Sequence, residues 1–294
     1  MIKVYNRKTK THETELVAGE AYLNWIYSSP LGMKLLELLI KKKITSKIFG
    51  YYCNSTISKA KITKFIDEFK IDMTRYEMPE KGFKNFNDFF CRRLKKGQCQ
   101  LASDETDFIS PCEGKILAYQ AIDINMLVQI KGITYSLEEL IGQASIASNY
   151  AEGTCLIIRL SPENYHRFHF VDCGTCGPTT KIKGFYYSVN PTSIQRINKL
   201  FCSNKREWSI LTSENFGEIL YVEIGATFVG SMIQTYHDYE TVKRGDEKGY
   251  FKFGGSTVIM FLKKGAVKVD KDIIAQSAQG MECKVGMGER IGSR

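Results

Sequence analysis

The spacing of hydrophobic and polar residues divides the chain into two parts. From residue 19 to about residue 70 the hydrophobic residues recur every three or four positions, which is typical of amphipathic helices. Ser28, Ser29 and Pro30 have the pattern of a helix N-cap followed by proline in the first turn, so a helix is predicted from residue 31. Its two faces differ in character, with Leu31, Leu35, Leu38 and Leu39 on one and Lys34, Glu37 and Lys41 on the other.

The second part has the pattern of a β-rich domain. After Phe108, short hydrophobic runs alternate with glycine and proline, which favours a mainly antiparallel sheet. Strands are predicted at 114–119, 153–160, 181–189, 218–224, 227–234, 250–253 and 257–262, and short helices at 136–143 and 191–200. The predicted fold class is α+β, with basic amphipathic helices in an N-terminal region, residues 1–100, and a β core in residues 101–294.

The stretch 249–264 (GYFKFGGSTVIMFLKK) is open to two interpretations. Two β-rich runs meet at Gly254, Gly255 and Ser256, and glycine tolerates the backbone angles of a tight turn, so a hairpin is the common interpretation. The other interpretation is chemical. A serine hydroxyl that follows two residues without side chains can reach back to the carbonyl carbon of Gly255. The spacing does not decide between them.

Composition adds a charge signal to this pattern. The 294 residues carry a formal net charge of +9, and residues 31–70 hold nine lysines against three acidic residues. This region is either a packed helix with a solvated lysine face or a helix that lies on an anionic membrane. Nucleic acid is a weaker candidate, because the chain has neither an aromatic-rich RNA-binding signature nor zinc-finger spacing.

The same composition gives an expectation for the cellular setting. No hydrophobic run approaches the roughly 18 residues that cross a bilayer. The first residues lack the apolar segment of a secretory signal, and the nine cysteines form no disulfide framework of the small-domain type. A reducing, cytoplasmic environment is therefore expected.

Three residue types suggest nucleophilic chemistry. Glu113 lies in a turn that enters a strand (SPCEGK, 110–115), and His166 and His169 lie three residues apart in LSPENYHRFHF, 160–170. An acid, a histidine and a glycine-flanked serine are the parts of a Ser–His–carboxylate relay, which is recognised by its geometry. The chain has no Gly-x-Ser-x-Gly elbow, which disfavours an ordinary α/β-hydrolase.

The two histidines admit other interpretations. With Cys173 and Cys176 they form H-x-x-H-x-x-x-C-x-x-C, whose residue types suit a Zn²⁺ site. The short link between the pairs argues against zinc, and the missing βαβ pattern argues against a thioredoxin-like redox pair. Two alternative functions stay open: a zinc-stabilised module that binds anionic membranes, and a serine hydrolase that keeps its serine.

Taken together, these stretches resemble the phosphatidylserine decarboxylase family, which are pyruvoyl-dependent enzymes of phospholipid synthesis. Five motifs carry the resemblance in family order: F-x-x-F-F-x-R-x-L at 86–94, S-P-x-D-G-k at 110–115, Y-H-R-x-H at 165–169, G-A-x-x-V-G-S at 225–231 and the self-cleavage motif (L/G)GST at 254–257. The one departure is Glu113, which stands where the family usually has aspartate.

The resemblance implies a maturation step. His169, oriented by Glu113, would act as general base on the hydroxyl of Ser256. The serine oxygen would then attack the carbonyl of Gly255, and the chain would be cut between these two residues. The products would be a β chain, residues 1–255, and an α chain, residues 256–294.

The resemblance also implies a reaction, a cofactor and partners. Ser256 would become a covalent pyruvoyl group that forms a Schiff base with phosphatidylserine and accepts the electrons left by CO₂, which gives phosphatidylethanolamine. His166 would assist decarboxylation or reprotonation. The expected partners are phosphatidylserine in an anionic membrane and the chain's own two fragments, with a homodimer left open and no nucleic acid or metal. The expected location is the cytoplasmic face of the membrane, as a peripheral protein. No substrate-binding residue is assigned.

Overall fold

Helices dominate the first hundred residues and strands dominate the rest, so the predicted α+β class is confirmed. The computed structural model describes residues 2–16, 20–40, 43–130, 133–226, 232–254 and 256–294. The helices are α1 (Glu20–Ser28), α2 (Pro30–Leu35), α3 (Lys43–Asn54), α4 (Ile62–Phe69), α5 (Phe86–Phe90), α6 (Leu137–Ile141), α7 (Ala144–Ala147), α8 (Pro191–Arg196), α9 (Leu200–Ser203) and α10 (Lys271–Ala278). A π-helical turn spans Leu36–Ile40, and 3₁₀ turns span Thr56–Lys61, Met73–Arg75 and Ser148–Tyr150.

The strands are short in the periphery and longest in the centre of the molecule. They are β1 (Lys3–Asn6), β2 (Thr11–Thr14), β3 (Asp107–Ile109), β4 (Gly114–Gln120), β5 (Leu127–Ile130), β6 (Ile133–Tyr135), β7 (Thr154–Leu160), β8 (Arg167–His169), β9 (Gly174–Cys176), β10 (Thr180–Ile182), β11 (Arg206–Ser213), β12 (Gly217–Gly225), β13 (Met232–Gln234), β14 (Thr241–Val242), β15 (Glu247–Phe251), β16 (Ser256–Leu262), β17 (Lys268–Val269), β18 (Cys283–Val285) and β19 (Arg290–Ser293).

A large central sheet organises the β-rich part. Among the described residues, ten strands follow the order β14-β9-β11-β12-β16-β7-β4-β18-β1-β2, and β10 pairs with β11 as the eleventh. Its neighbours are antiparallel except for β1 and β18, so the predicted mainly antiparallel core is confirmed. Three smaller sheets have the orders β13-β15-β8, β17-β19-β3 and β5-β6.

The middle of the central sheet is covered on both faces. In β12, Ile219 and Tyr221 belong to one hydrophobic core, and the alternate residues Leu220 and Val222 belong to another. Every residue of β16 is buried. A strand that is buried on both faces carries a continuous hydrophobic run instead of an alternating pattern. This explains why STVIMFL and TCLIIRL form adjacent central strands.

Of the two interpretations of the stretch around Gly254 and Ser256, the hairpin is wrong. β15 pairs with β13 and β8 in one sheet, whereas β16 lies between β12 and β7 in the central sheet. Gly254 has a φ of +137°, a conformation that side chains disfavour, at the point where the chain passes between the two sheets. Gly255 itself lies outside the described residues.

Other predicted elements differ from the structure at their ends. The strand predicted over 181–189 ends at Ile182, because the Asn204 side chain, instead of a neighbouring strand, hydrogen-bonds the backbone of Tyr187. Residues 3–14, to which no element is assigned above, form β1 and β2. Of the predicted strand 227–234, residues 227–231 lie outside the described residues, as do Lys41 and Lys42 of the basic region.

A third hydrophobic core connects the N-terminal helices to the β-rich part. Phe86, Phe89 and Phe90 of α5 are buried in it, and Phe253 packs against it from the end of β15. These phenylalanine side chains are therefore core residues. The preceding helical region also exposes large hydrophobic side chains: Leu31, Leu38, Ile44, Ile48, Tyr51 and Ile57. In the part of the chain that is described, no helix has the length and apolar character needed to cross a membrane.

Candidate active site

Ser256 is the first residue of β16 and is completely buried. Its backbone lies opposite Gly225 of β12 on one side and opposite Leu160 of β7 on the other. The strands on both sides fix the backbone of Ser256. Its buried hydroxyl can therefore contact only the neighbouring side chains and backbone groups, and not solvent.

His166 is the residue that contacts this hydroxyl. Its Nδ1 lies 3.3 Å from Ser256 Oγ, and its Nε2 lies 3.0 Å from the carbonyl oxygen of Ser161. Because a carbonyl oxygen only accepts hydrogen bonds, Nε2 carries the proton and Nδ1 accepts the hydroxyl hydrogen of Ser256. The Phe90 ring stacks on the imidazole with centroids 4.0 Å apart and holds its plane. The serine and the histidine thus have the relation of a nucleophile and its base.

Burial keeps His166 neutral. Removal from water, together with the nearby positive charge of Arg92, lowers the pKa of His166 from 6.5 to about 3. Arg92 is also buried, and its Nη2 donates hydrogen bonds to the carbonyl oxygens of Glu163 and Asn164, at 2.7 and 3.2 Å. Arg92 therefore fixes the loop before His166 as well as disfavouring protonation of the imidazole.

Glu113 is connected to His166 through the same loop. One carboxylate oxygen accepts a hydrogen bond from Arg75 Nη2 at 3.1 Å, and the other accepts one from Asn164 Nδ2 at 3.0 Å. The Asn164 side-chain oxygen accepts a hydrogen bond from the backbone N–H of Ser161 at 2.8 Å. The Ser161 carbonyl oxygen in turn accepts a hydrogen bond from His166 Nε2. A continuous series of hydrogen bonds thus runs from the carboxylate to the imidazole.

His169 occupies a different environment. Its Nδ1 lies 2.9 Å from the carbonyl oxygen of Gly245 and therefore donates, so Nε2 accepts from the Tyr165 hydroxyl at 3.1 Å. Burial lowers the pKa of His169 as well. The imidazole lines a cavity on the side of the molecule formed by residues 93–101 and 244–247.

This arrangement differs from the expected relay of Glu113, His169 and Ser256. Among the described residues, the Ser256 hydroxyl donates its hydrogen bond to His166, and no hydrogen bond joins His169 to Glu113 or to the serine. Successive side chains of an extended strand point to opposite faces, so two residues three positions apart face opposite sides. That rule already separates the two histidines in the sequence, but it does not tell which of them faces the serine.

The same four-residue set that suggested zinc does not form a metal centre. Cys176 is buried with its sulfur 3.6 Å from Ser209 Oγ, and both histidines have the partners given above. Across the described ranges, no group of three or more His, Cys, Asp or Glu side chains is arranged to hold a metal ion.

Sequence reasoning missed two residues of this site, Arg75 and Asn164. Arg75 lies in a stretch without any motif, and its contact with Glu113 joins segments 38 residues apart. Asn164 lies two residues before His166 within the stretch singled out for its histidines. An asparagine there is the detectable signal, because Asn side chains readily bond nearby backbone N–H groups.

Comparisons with known proteins agree on one family. The family model described as phosphatidylserine decarboxylase matches residues 86–293. Proteins named phosphatidylserine decarboxylase proenzyme are similar over the whole length of both chains: 57% identical in Clostridium botulinum strain 657, 54% in Clostridium novyi strain NT and 55% in Clostridium perfringens strain SM101, each over 294 residues.

Proposed function

Because this chain belongs to the phosphatidylserine decarboxylase family, we propose that it cuts itself between Gly255 and Ser256 and uses a pyruvoyl group made from Ser256. The protein is a decarboxylase that converts phosphatidylserine to phosphatidylethanolamine and CO₂. One observation carries the proposal. Ser256 follows a pair of glycines directly, and its buried hydroxyl faces the neutral imidazole of His166.

Maturation begins with the proton of the serine hydroxyl. His166 Nδ1 takes this proton while Ser256 Oγ attacks the Gly255 carbonyl carbon, and the acyl group moves from nitrogen to oxygen to give an ester. Loss of the Ser256 α-proton then expels the Gly255 carboxylate and leaves dehydroalanine at residue 256. Addition of water and release of ammonia convert dehydroalanine to the pyruvoyl group, so that the atoms balance.

The chemistry of the site fits a pyruvoyl group. Its carbonyl would supply an electron sink for the pair of electrons released as CO₂ leaves the substrate. Ser256 would hold it at the start of β16, where the neighbouring strands fix the backbone. His166, neutral and next to residue 256, is the residue placed to hold or return a proton there.

Glu113 acts through position instead of direct contact. Its hydrogen bond to Asn164 holds the loop whose Ser161 carbonyl orients His166. The glutamate thereby orients the base, as the carboxylate of a relay does, but through the Asn164 side chain and the Ser161 backbone. His169, which the resemblance assigns as the base of self-cleavage, has no such role in our proposal, because its two ring nitrogens bond Gly245 and Tyr165.

The N-terminal region supplies attachment to the membrane. Its exposed hydrophobic side chains, including Ile44, Ile48 and Ile57, accompany lysines such as Lys47 and Lys59. Such a surface buries its apolar residues in the headgroup region while lysines bind anionic lipid. The enzyme therefore works as a peripheral protein on the cytoplasmic face of an anionic membrane.

The test of maturation is the intact mass of the purified protein. The native chain should give fragments 1–255 and 256–294, the smaller one carrying a pyruvoyl mass and resisting N-terminal sequencing, while Ser256→Ala stays whole. The two histidines are then compared: His166→Gln should stop cleavage, and His169→Gln should leave it within about threefold of the native rate. Circular dichroism of each variant checks that it folds. Cleavage in His166→Gln together with an uncut His169→Gln would overturn our assignment in favour of His169.

A further inference from the structure

A group of charged side chains surrounds the hydroxyl of Ser161, and the maturation chemistry does not use them directly. Glu15, Lys115 and Arg159 are buried, and so is Ser161. Glu282 is partly buried beside Arg159. We call these four charged residues the ion cluster. Charges that are taken out of water lower the stability of a fold unless they are paired and hydrogen-bonded, so the bonds of the ion cluster decide what it does.

The Ser161 hydroxyl makes every hydrogen bond that a hydroxyl can make. It donates to Glu15 Oε1 at 2.6 Å, and it accepts from Lys115 Nζ at 2.5 Å and from Arg159 Nη1 at 3.1 Å. A serine oxygen has one hydrogen to donate and two lone pairs to accept with, and all three are used here. Three charged groups therefore hold the Ser161 side chain in one position.

Arg159 is saturated in the same way. Its Nη1 and Nη2 donate to the Glu15 carboxylate at 3.0 and 2.7 Å, and its Nε and Nη2 donate to the Glu282 carboxylate at 2.9 and 2.5 Å. With the bond to Ser161, all five N–H groups of the guanidinium have an acceptor. Burial alone would raise the pKa of Glu15, but Arg159 and the charge of Lys115 lower it to about 2, so Glu15 is ionised at neutral pH.

The backbone of Ser161 is held as firmly as its side chain. Its N–H donates to Asn164 Oδ1 at 2.8 Å, and its carbonyl oxygen accepts from His166 Nε2 at 3.0 Å. Lys115 binds the same loop a second time, through Glu163 Oε1 at 2.9 Å. Every polar atom of Ser161 is therefore bonded, and one of these bonds is the bond that orients the imidazole.

We propose that the ion cluster positions the base of self-cleavage, and that it acts through Ser161 on His166. With Ser161 fixed, its carbonyl keeps the proton of His166 on Nε2, and Nδ1 stays free to accept the hydrogen of Ser256. The inference rests on the proposed function. It adds a second support to the one from Glu113, which reaches the same loop through Asn164.

The ion cluster brings both ends of the chain to this base. Glu15 follows β2 near the N-terminus, whereas Glu282 precedes β18 in the fragment 256–294. Arg159, which binds both carboxylates, lies in β7 directly opposite Thr257. A change at either carboxylate should therefore disturb the imidazole, although both residues are more than 100 positions away from it in the sequence.

The first test removes the hydroxyl of Ser161 and keeps its carbonyl. Ser161→Ala should slow self-cleavage about tenfold or more, because a small misplacement of a catalytic group has a large effect on rate. The rate is followed by intact mass during cell-free synthesis. The matched control is Ser277→Ala, which also removes a buried hydroxyl with a hydrogen bond, here from the Ala118 backbone, and which should cleave within about threefold of the native rate. Native cleavage in Ser161→Ala would overturn the proposal.

A second readout separates positioning from a general loss of stability. In a Ser256→Ala background, which stays whole, ¹H–¹⁵N NMR detects the Nε2 hydrogen of His166, assigned by its absence in His166→Gln. Its exchange with solvent should be about tenfold faster when Ser161→Ala is added. The backbone amides of β16, which report the opening of the central sheet, should accelerate less. Slow cleavage with unchanged exchange of the imidazole hydrogen would give Ser161 a packing role alone and would overturn the proposal.

Glu15→Gln tests the charged residues themselves. It removes the carboxylate that Lys115 and Arg159 share and should slow self-cleavage at least threefold. The control is Glu13→Gln, two positions earlier, whose carboxylate bonds Asn6 and Lys284 instead and whose rate should be native. A native rate in Glu15→Gln would overturn the role of the ion cluster. A native chain that is never cut would instead overturn the proposed function, and the exchange measurement on uncut protein would still test the positioning of the imidazole.

Discussion

The buried His166 should make the protein less stable in mild acid, and the loss of unfolding free energy follows from its lowered pKa. Burial and the charge of Arg92 lower the pKa of this imidazole from 6.5 to about 3 in the folded chain. Between these two pH values the unfolded chain binds a proton that the folded chain does not. Unfolding therefore becomes easier as pH falls through this range.

The size of the effect follows from linkage. Each pH unit below 6.5 lowers the free energy of unfolding by about 1.4 kcal/mol for one such group. A change from pH 7 to pH 5 should thus remove about 2 kcal/mol through His166 alone. Glutamine at this position keeps a hydrogen-bonding side chain but takes up no proton, so His166→Gln should lose this contribution.

The measurement is urea denaturation at pH 7 and pH 5 in a Ser256→Ala background, which keeps the chain whole. The loss of unfolding free energy between the two pH values should be about 2 kcal/mol smaller when His166→Gln is added. His169 also has a lowered pKa, but it is present in both proteins and cancels. The exposed His237→Gln is the control and should leave the loss unchanged. Equal losses with and without His166 would refute the view that this imidazole is buried and neutral.

Three further substitutions test the charges and packing that hold the site in place. Glu15→Gln should lower the free energy of unfolding by about 1.5–3 kcal/mol, because it removes the charged hydrogen bonds of a buried carboxylate that Lys115 and Arg159 share, although these cations keep Glu163 and Glu282. Glu152→Gln breaks an exposed pair and should leave the urea midpoint unchanged. Glu223→Gln should cost about 3–5 kcal/mol by leaving the fully buried Lys248 without a carboxylate, and adding Lys248→Met should restore most of it in the same denaturation assay. Gly249→Ala should cost about 1–3 kcal/mol and slow self-cleavage, because its methyl group would lie 2.3 Å from the Ile233 carbonyl oxygen and separate β13 from β15.

Much of the fold can be predicted from the sequence where hydrophobic runs are continuous. The central strands β7, β12 and β16 are such runs, and their bounds agree within two residues with the prediction. β11 was not predicted, because it begins with Arg206 and Glu207, which are buried. Arg206 can be buried there because it donates hydrogen bonds to the carbonyl oxygens of Leu140, Cys202 and Glu139. These partners belong to α6 and α9, so the hydrophobic pattern of β11 itself does not predict them.

The site shows the same division between local and long-range information. The sequence singled out the serine, the acid and the two histidines from residue type and spacing. It did not show that Glu113 reaches His166 through Asn164, because that connection depends on how the loop 161–164 folds back on itself. Nor did it show that the runs on either side of Gly254 belong to different sheets. Strand pairing over long sequence separations is set by tertiary contacts, and a two-run pattern around glycine does not contain them.

The position of the proposed cut between two sheets explains how a buried serine can change chemically without unfolding the enzyme. Residue 256 is held by β12 and β7, which pair with β16 along its whole length, and not by the preceding residues of β15. The rest of the fragment 256–294 is held as well, since β18 pairs with β4 and β19 with β3. Breaking the bond before residue 256 would leave the pairing of β16 from Thr257 onward intact. The new end would therefore remain between β12 and β7, beside His166.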